Sequence, residues 1–307
     1  MRNILLAILL ISAITSCEEY EDFYNVESLQ QDCKIVLYAF PTTSDTIIID
    51  ISASTPVSSE MKKLNVSSVQ CLVNGMPDSV SLLSEGNRDD PNYTMLSYER
   101  MYYRYVATGK HSAGDTIAIE VCADGFQKAS ASTVIPEKVC VRNVREEVSY
   151  YDNSAMSMLL FSFDDASPQE DYYSFVLKRW YLDSDFSGYS SDCYLQITPS
   201  TDSMLREYSL SSSNPENAIH YFFTDKQFSN SVCNMHANYY RSNYEMVKHE
   251  LQFNHLSKEL YQYMKSWADC DDNNFAQYGI AFAYRTYTNV TGGYGVVAAY
   301  NSVKECY

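Results

Sequence analysis

The sequence predicts an all-β fold in two parts, a β-sandwich followed by a barrel-like β-domain that carries one helix. Three observations carry that prediction. Short apolar runs recur along the chain, broken by clusters of Gly, Asn, Asp, Ser and Pro. Tyrosine is abundant, 28 residues against 13 Phe and 2 Trp, and it suits strands and half-buried faces. One stretch alone repeats with a helical period. The length, 307 residues, is near the upper limit for one core and favours two domains.

In order along the chain, residues 18–32 are polar and irregular, a tether. From Lys34 the runs "KIVLYAF", "DTIIIDISAS" and "VSSVQCLVNG" follow one another. After the turn-rich "GNRDDPN" come "YTMLSYERMYYRYVA", "DTIAIEVCADG" and "FQKASASTVIP". Strands at this spacing read as a β-sandwich over residues 33–137. Ile117, Ile119 and Val121 share one face, so Cys122 points to the other, and a core disulfide from Cys71 to Cys122 is not the easy inference.

The second part, residues 138–307, opens with "VCVRNVREEVSYY" and "AMSMLLFSFDD", a hairpin or meander, then "DYYSFVLKRWYLD", "DCYLQITPS" and "SMLREYSLS". In "EMVKHELQFNHL", Val247, His249, Leu251, Phe253 and His255 alternate with Met246, Lys248, Glu250, Gln252 and Asn254. That period of two makes a strand. Ser257 can cap a helix in "KELYQYMKSWA", with Leu260, Met264, Trp267 and Ala268 expected on its buried face. "YGIAFAYRTYT" and "YGVVAAYNS" read as two closing strands joined by "NVTGG".

At the start, Arg2 precedes an apolar run, Ile4 to Ile14, too short to span a bilayer. Ile14-Thr15-Ser16 leads into Cys17. This resembles a bacterial lipobox, with residues 1–16 as signal peptide and Cys17 as the lipidation site. Acyl chains there would anchor a soluble domain, at about 0.8 kcal/mol per buried methylene. Glu18, Glu19, Glu21 and Asp22 follow, a lipidated acidic tether over residues 17–32. They resemble the acidic export signal of surface lipoproteins in Bacteroidota.

The chain has 22 Lys+Arg against 39 Asp+Glu, a net charge of −17. Such a balance opposes nucleic-acid binding and electrostatic attachment to anionic lipid. Eight cysteines besides Cys17 permit up to four disulfides, and their wide spacing lacks the close pairs of a structural zinc site.

Motifs for chemistry are sparse. His249 and His255 are six residues apart, not at the HExxH spacing, and in a strand they lie about 20 Å apart. Cys233, His236 and His220 lack an obvious fourth ligand. Asp164-Asp165 and Glu170-Asp171 were candidates for a glycosidase pair or a calcium loop, but the EF-hand pattern is missing, and they read as a solvated loop. No elbow, P-loop or dinucleotide fingerprint occurs. The expectation is no catalytic residue, no metal and no cofactor. Asp45-Thr46-Ile47, Asp78-Ser79-Val80, Asp115-Thr116-Ile117 and Asp202-Ser203-Met204 resemble O-glycosylation acceptors of exported Bacteroidota proteins; the same tripeptides also start strands after turns.

Several of these pieces occur together, and in order, in one family. They are Cys17, "GDTIAIEVCADGF…ASASTVIP", "FSFDDASPQEDYYSFVL", "LSKELYQYMKSWA" and "NVTGGYGVVAAYNS". The chain resembles the Bacteroidota lipoproteins catalogued as domain of unknown function 4249. The resemblance implies an immunoglobulin-like domain followed by a barrel-like β-domain, and genes beside those of TonB-dependent receptors. It implies no catalytic residues.

The expected function is therefore a non-catalytic lipoprotein on the outer-membrane surface, accessory to a TonB-dependent receptor. It would bind a small nutrient, glycan or peptide. Trp180, Tyr181, Tyr189, Tyr239, Tyr240 and Tyr244 are the candidate ligand contacts, chosen for aromatic clustering near loops. The alternatives are a fimbrillin-like or adhesive structural protein and an unrecognised hydrolase.

Overall fold

The computed structural model describes residues 33–54, 64–85, 103–151, 154–165, 169–182, 188–192, 195–196, 209–211, 217–226, 232–240, 246–271 and 285–307. Cys17 with its leader and tether, Cys193, Asp202 to Met204 and Tyr244 lie outside these residues. Among them the chain is all-β with one helix.

The first part is a two-sheet sandwich. One sheet contains β1 (Ile35–Ala39), β2 (Thr46–Ala53), β5 (Ser79–Glu85) and β6 (Tyr103–Thr108). The facing sheet has β3 (Val66–Val73), β4 (Met76–Pro77), β7 (Thr116–Ala123) and β8 (Ala129–Val134), in the order β4-β3-β7-β8. Period-two alternation builds the core. Ile35 and Leu37, Ile47, Ile49 and Ile51, and Ile117, Ile119 and Val121 are all buried in one cluster. Asn74 and Gly75 both have positive φ (52° and 81°) and join β3 to β4 in a two-residue turn, as such hairpins require. Cys71 lies in this core, where burial pushes its thiol up to about 12. Its neighbour Cys122 pairs with Ser68, not with Cys71. No disulfide joins any two of the seven described cysteines.

The second part is one large antiparallel sheet. Its strands are β9 (Val141–Tyr151), β10 (Ser154–Asp164), β11 (Tyr172–Leu182), β12 (Gly188–Asp192), β13 (Leu195–Gln196), β14 (Ser209–Ser211), β15 (Asn217–Thr224), β16 (Val232–Tyr240), β17 (Met246–Leu256) and β19 (Tyr300–Cys306). The main path runs β19-β17-β11-β15-β13-β16-β10-β9. Five strand steps separate β10 from β17. A flat sheet would place them about 24 Å apart, yet the rings of Phe163 and Phe253 are 4.7 Å apart. The sheet is therefore rolled round a core of its own inner face. The edges β9 and β19 are not paired with each other among the described residues, so the roll is barrel-like but not a closed barrel. β15 and β16 are strands that the sequence reading passes over.

Two further differences from the sequence reading concern the C-terminal third. Residues 285–288 of the expected strand "YGIAFAYRTYT" are not in a strand, and its earlier residues lie outside the described set. "YGVVAAYNS" is two strands, not one. β18 (Tyr294–Val297) pairs in parallel with β1 of the sandwich, while β19 returns to the rolled sheet beside β17. The expected assignment of all residues 138–307 to one barrel-like domain thus omits a crossing. Glycines permit it. Gly295 has φ 96°, and a Cβ there would sit 2.1 Å from the Leu37 carbonyl oxygen.

The helix α1 (Lys258–Asp271) starts as expected. Ser257 Oγ accepts the Leu260 amide at 3.3 Å and the Ala299 amide at 3.1 Å. Leu260, Tyr261, Met264 and Ala268 pack on Phe222, Leu256 and Val296. Trp267, expected on that face, is 54% exposed. Tyr261 takes its place, because the helix turns its flank toward Tyr172 and Phe222, whose rings lie 4.8 and 5.7 Å from the Tyr261 ring.

Candidate functional site

The two parts meet along a cleft of about 1040 Å³. One wall is the sandwich, residues 132–136, continuing into the linker at 137–140. The other is the end of the rolled sheet at Asp164, Asp165 and 169–173, with 255–259 from the start of α1. Side chains lock the walls together. Thr133 Oγ1 donates to Glu259 at 3.1 Å, Asn301 Nδ2 to the Pro136 carbonyl at 3.2 Å, and Asn289 Nδ2 to the Ser132 carbonyl at 3.2 Å.

Two acids of the cleft lining, Asp165 and Asp171, meet a third, Asp225, which is buried and does not line the cleft. Asp165 follows the last residue of β10, Asp171 precedes β11, and Asp225 follows β15. β11 and β15 are neighbours, paired Tyr172 to Thr224. One step beyond, the Asp225 amide donates to the Asp171 carbonyl at 3.2 Å. In return the Asp171 amide donates to Asp225 Oδ1 at 3.0 Å. Carboxylate oxygens of Asp165, Asp171 and Asp225 all lie within 4.8 Å of one another. Asp165 is 3% exposed and Asp225 fully buried. Asp225 Oδ2 has no hydrogen-bond partner among the described residues. Burial, then the Asp165 and Asp171 charges, push the Asp225 carboxyl up to about 6 against the pull of backbone hydrogen bonds.

The surroundings hold this cluster in place. The Tyr173 hydroxyl donates to Asp165 Oδ1 at 3.0 Å, and burial with the nearby acids pushes that phenol up. His255 Nδ1 is 2.8 Å from the Glu137 carbonyl, which can only accept, so Nδ1 carries a proton. Its Nε2 then faces Asp171 Oδ1 at 3.5 Å. Lys226 pairs with Glu170 at 3.1 Å, and Arg142 pairs with Asp164. The sequence reading notes Asp164, Asp165, Glu170 and Asp171 but treats them as a solvated loop. Asp225 is missing from it because β15 is missing.

A family model described as Domain of unknown function (DUF4249) matches residues 20–305. The chain belongs to the DUF4249 family. No curated protein matches it. In this DUF4249 member the segment "FSFDDASPQEDYYSFVL" supplies Asp165 and Asp171 of the cleft floor. "NVTGGYGVVAAYNS" is the segment that crosses into the sandwich and back.

Of the aromatic residues singled out in the DUF4249 sequence, only the side chains of Trp180 and Tyr239 are among those described. Tyr239 is buried inside the roll, its ring 5.1 Å from that of His249. Trp180 is half-buried in β11, next to inward-facing Arg179, and packs under the Lys248 ammonium at 5.2 Å. Tyr181 and Tyr189 are backbone partners across β11 and β12, and Tyr240 ends β16. Trp180 and Tyr239 are not among the residues that line the junction cleft. Cys233 is buried with Sγ 3.5 Å from Met235 Sδ. Thr46, Ser79 and Thr116 of the three described Asp-Ser/Thr tripeptides each begin a strand and are exposed.

Proposed function

We propose that the protein is a lipid-anchored lipoprotein of the outer-membrane surface that serves, without catalysis, as accessory to a TonB-dependent receptor in nutrient binding or uptake. Ile14-Thr15-Ser16-Cys17 and the acids that follow support the anchor and its surface address. Membership of the family, together with its Bacteroidota resemblance, supports the receptor partnership. The observation that carries the binding role is the junction cleft. Its size, about 1040 Å³, suits a small nutrient, a short glycan or a peptide, and its walls come from both parts of the chain.

The test is recovery of the full chain, tagged at its C-terminus, from native outer membranes in mild detergent. Mass spectrometry is expected to find acyl chains on Cys17, and an outer-membrane barrel is expected to co-elute. Surface proteolysis of intact cells is expected to remove the protein. Cys17→Ala is expected to abolish membrane retention. An unacylated start, or recovery of a solitary monomer, overturns the reading.

A further inference from the structure

The crossing near the C-terminus, residues 289–301, enters the sandwich between two sheet edges. On one side Thr291 exchanges backbone hydrogen bonds with Ser130 of β8, at 2.8 and 3.0 Å. On the other, β18 pairs with β1. Without the crossing, β1 and β8 would both be open edges of the described sheets. Three glycines let the backbones meet. A Cβ on Gly292 would sit 2.1 Å from the Lys128 carbonyl oxygen, one on Gly293 2.5 Å from that of Ile35, and one on Gly295 2.1 Å from that of Leu37. Both faces of the segment are then used. Val290, Val297 and Ala299 lie in the sandwich core, while Val296 and Ala298 pack with Leu260 and Met264 of α1. Both cleft walls are bonded to it as well. On the sandwich wall, Asn289 Nδ2 donates to the Ser132 carbonyl at 3.2 Å, the Ala299 amide to Thr133 Oγ1 at 3.3 Å, and Asn301 Nδ2 to the Pro136 carbonyl at 3.2 Å. On the opposite wall, Ser257 Oγ accepts the same Ala299 amide at 3.1 Å, and the Ser257 amide donates to the Ala299 carbonyl at 2.8 Å.

We propose that residues 289–301 are a strap that holds the two cleft walls at a fixed separation. Two parts of a chain move freely on one another when few contacts cross between them. Here one segment, apolar on both faces and bonded to both walls, must come away before the walls can part. The cleft is thus preformed, and anything that binds there meets walls already in place. The strap also couples the parts in stability. Lifting β18 uncovers the β1 edge, opens the sandwich core at Val297 and Ala299, and takes Val296 and Ala298 from α1. The inference rests on these contacts, not on the lipid anchor, the receptor or the identity of a ligand.

The experiment is hydrogen–deuterium exchange, read by mass spectrometry, on the full chain in mild detergent. Gly295→Ala drives a methyl against the Leu37 carbonyl at a positive φ of 96° and is expected to lift β18. Exchange is then expected to rise together in peptides covering β1, β8 and α1, by about tenfold or more. Asn289→Ala keeps every glycine and removes the bonds to Ser132 and Val297. It is expected to raise the same three by about threefold or more, so misfolding of one variant leaves the other informative. Gly75→Ala is the control. Its φ is also positive, 81°, but it lies in the β3–β4 turn, where an added Cβ meets nothing within 4 Å. It is expected to leave exchange in α1 unchanged. Wild-type exchange in both strap variants overturns the proposal. So does a rise in β1 and β8 with α1 at its wild-type rate, or an α1 response to Gly75→Ala equal to that of Gly295→Ala.

Discussion

β17 carries two histidines on one face, His249 and His255, six residues apart at opposite ends of the rolled sheet. They stand in contrasting company. His249 is enclosed by Glu146 from β9, Arg179 from β11, Tyr239 from β16 and the C-terminal Tyr307. Its Nδ1 is 3.5 Å from Glu146, and its ring lies 5.1 Å from Tyr239 and 5.3 Å from Tyr307. At that end acid and base are both present, and His249 Nε2 is buried without a hydrogen-bond partner among the described residues. His255 stands at the cleft beside Asp171, with Asp165 and Asp225 beyond. At that end acids outnumber bases and a buried oxygen is left over. The two ends of one sheet thus differ in the charge they gather, mixed at His249 and mainly acidic at His255.

The strongest way to break the contrast is to remove what joins the ends. Phe253 sits between the two histidines, buried, with its ring 4.7 Å from Phe163 and 5.7 Å from Phe161 and Tyr173. Phe253→Ala is expected to cost about 3–5 kcal/mol, read by denaturant unfolding. A loss below about 1 kcal/mol would mean that the sheet is not rolled tightly round this ring.

A smaller effect separates the ends. Ser257 Oγ caps α1 and also binds the Ala299 amide between β18 and β19, so it serves only the cleft end. Ser257→Ala is expected to cost about 1–2 kcal/mol, the usual range for a lost helix cap. Amide exchange is expected to rise at Leu260 and Ala299 while Tyr307, which exchanges backbone bonds with His249 at the far end, keeps its protection. Equal loss at both sites would show that the ends are not independent.

How far the sequence reveals each end follows from range. The period-two pattern of β17 exposes a strand with both histidines on one face, because alternation is local. The hairpin of β9 and β10 and the Ser257 cap are legible for the same reason. The cleft is not, since Asp171 and Asp225 are 54 residues apart and meet only because β11 pairs with β15. A signal existed in "AIHYFFTD", an apolar run ending in an acid, and in the alternation of Cys233, Met235, Ala237 and Tyr239. Trp267 is exposed against the helical spacing, which gives a face but not which flank of it the neighbouring Tyr172 and Phe222 contact. The return of β18 to the sandwich left only its glycines as a clue.

The smallest expected effect is a pH dependence confined to the far end. Burial lowers the His249 pKa below 6.5, Glu146 opposes that shift and Arg179 adds to it. The native state therefore holds the neutral ring, while the unfolded chain binds a proton as pH falls through about 6.5. Stability from this group is complete above that value and declines below it, down to the depressed native pKa. His249→Gln cannot take up that proton. Denaturation midpoints measured from pH 7.5 to 5.5 are expected to fall more steeply for the wild type than for His249→Gln. The difference between the two chains cancels the titrating groups that do not face His249, those of the acidic end included; Glu146 and Arg179 face it. Parallel slopes would mean that His249 is charged in the folded protein, and that the far end is not closed by a neutral ring.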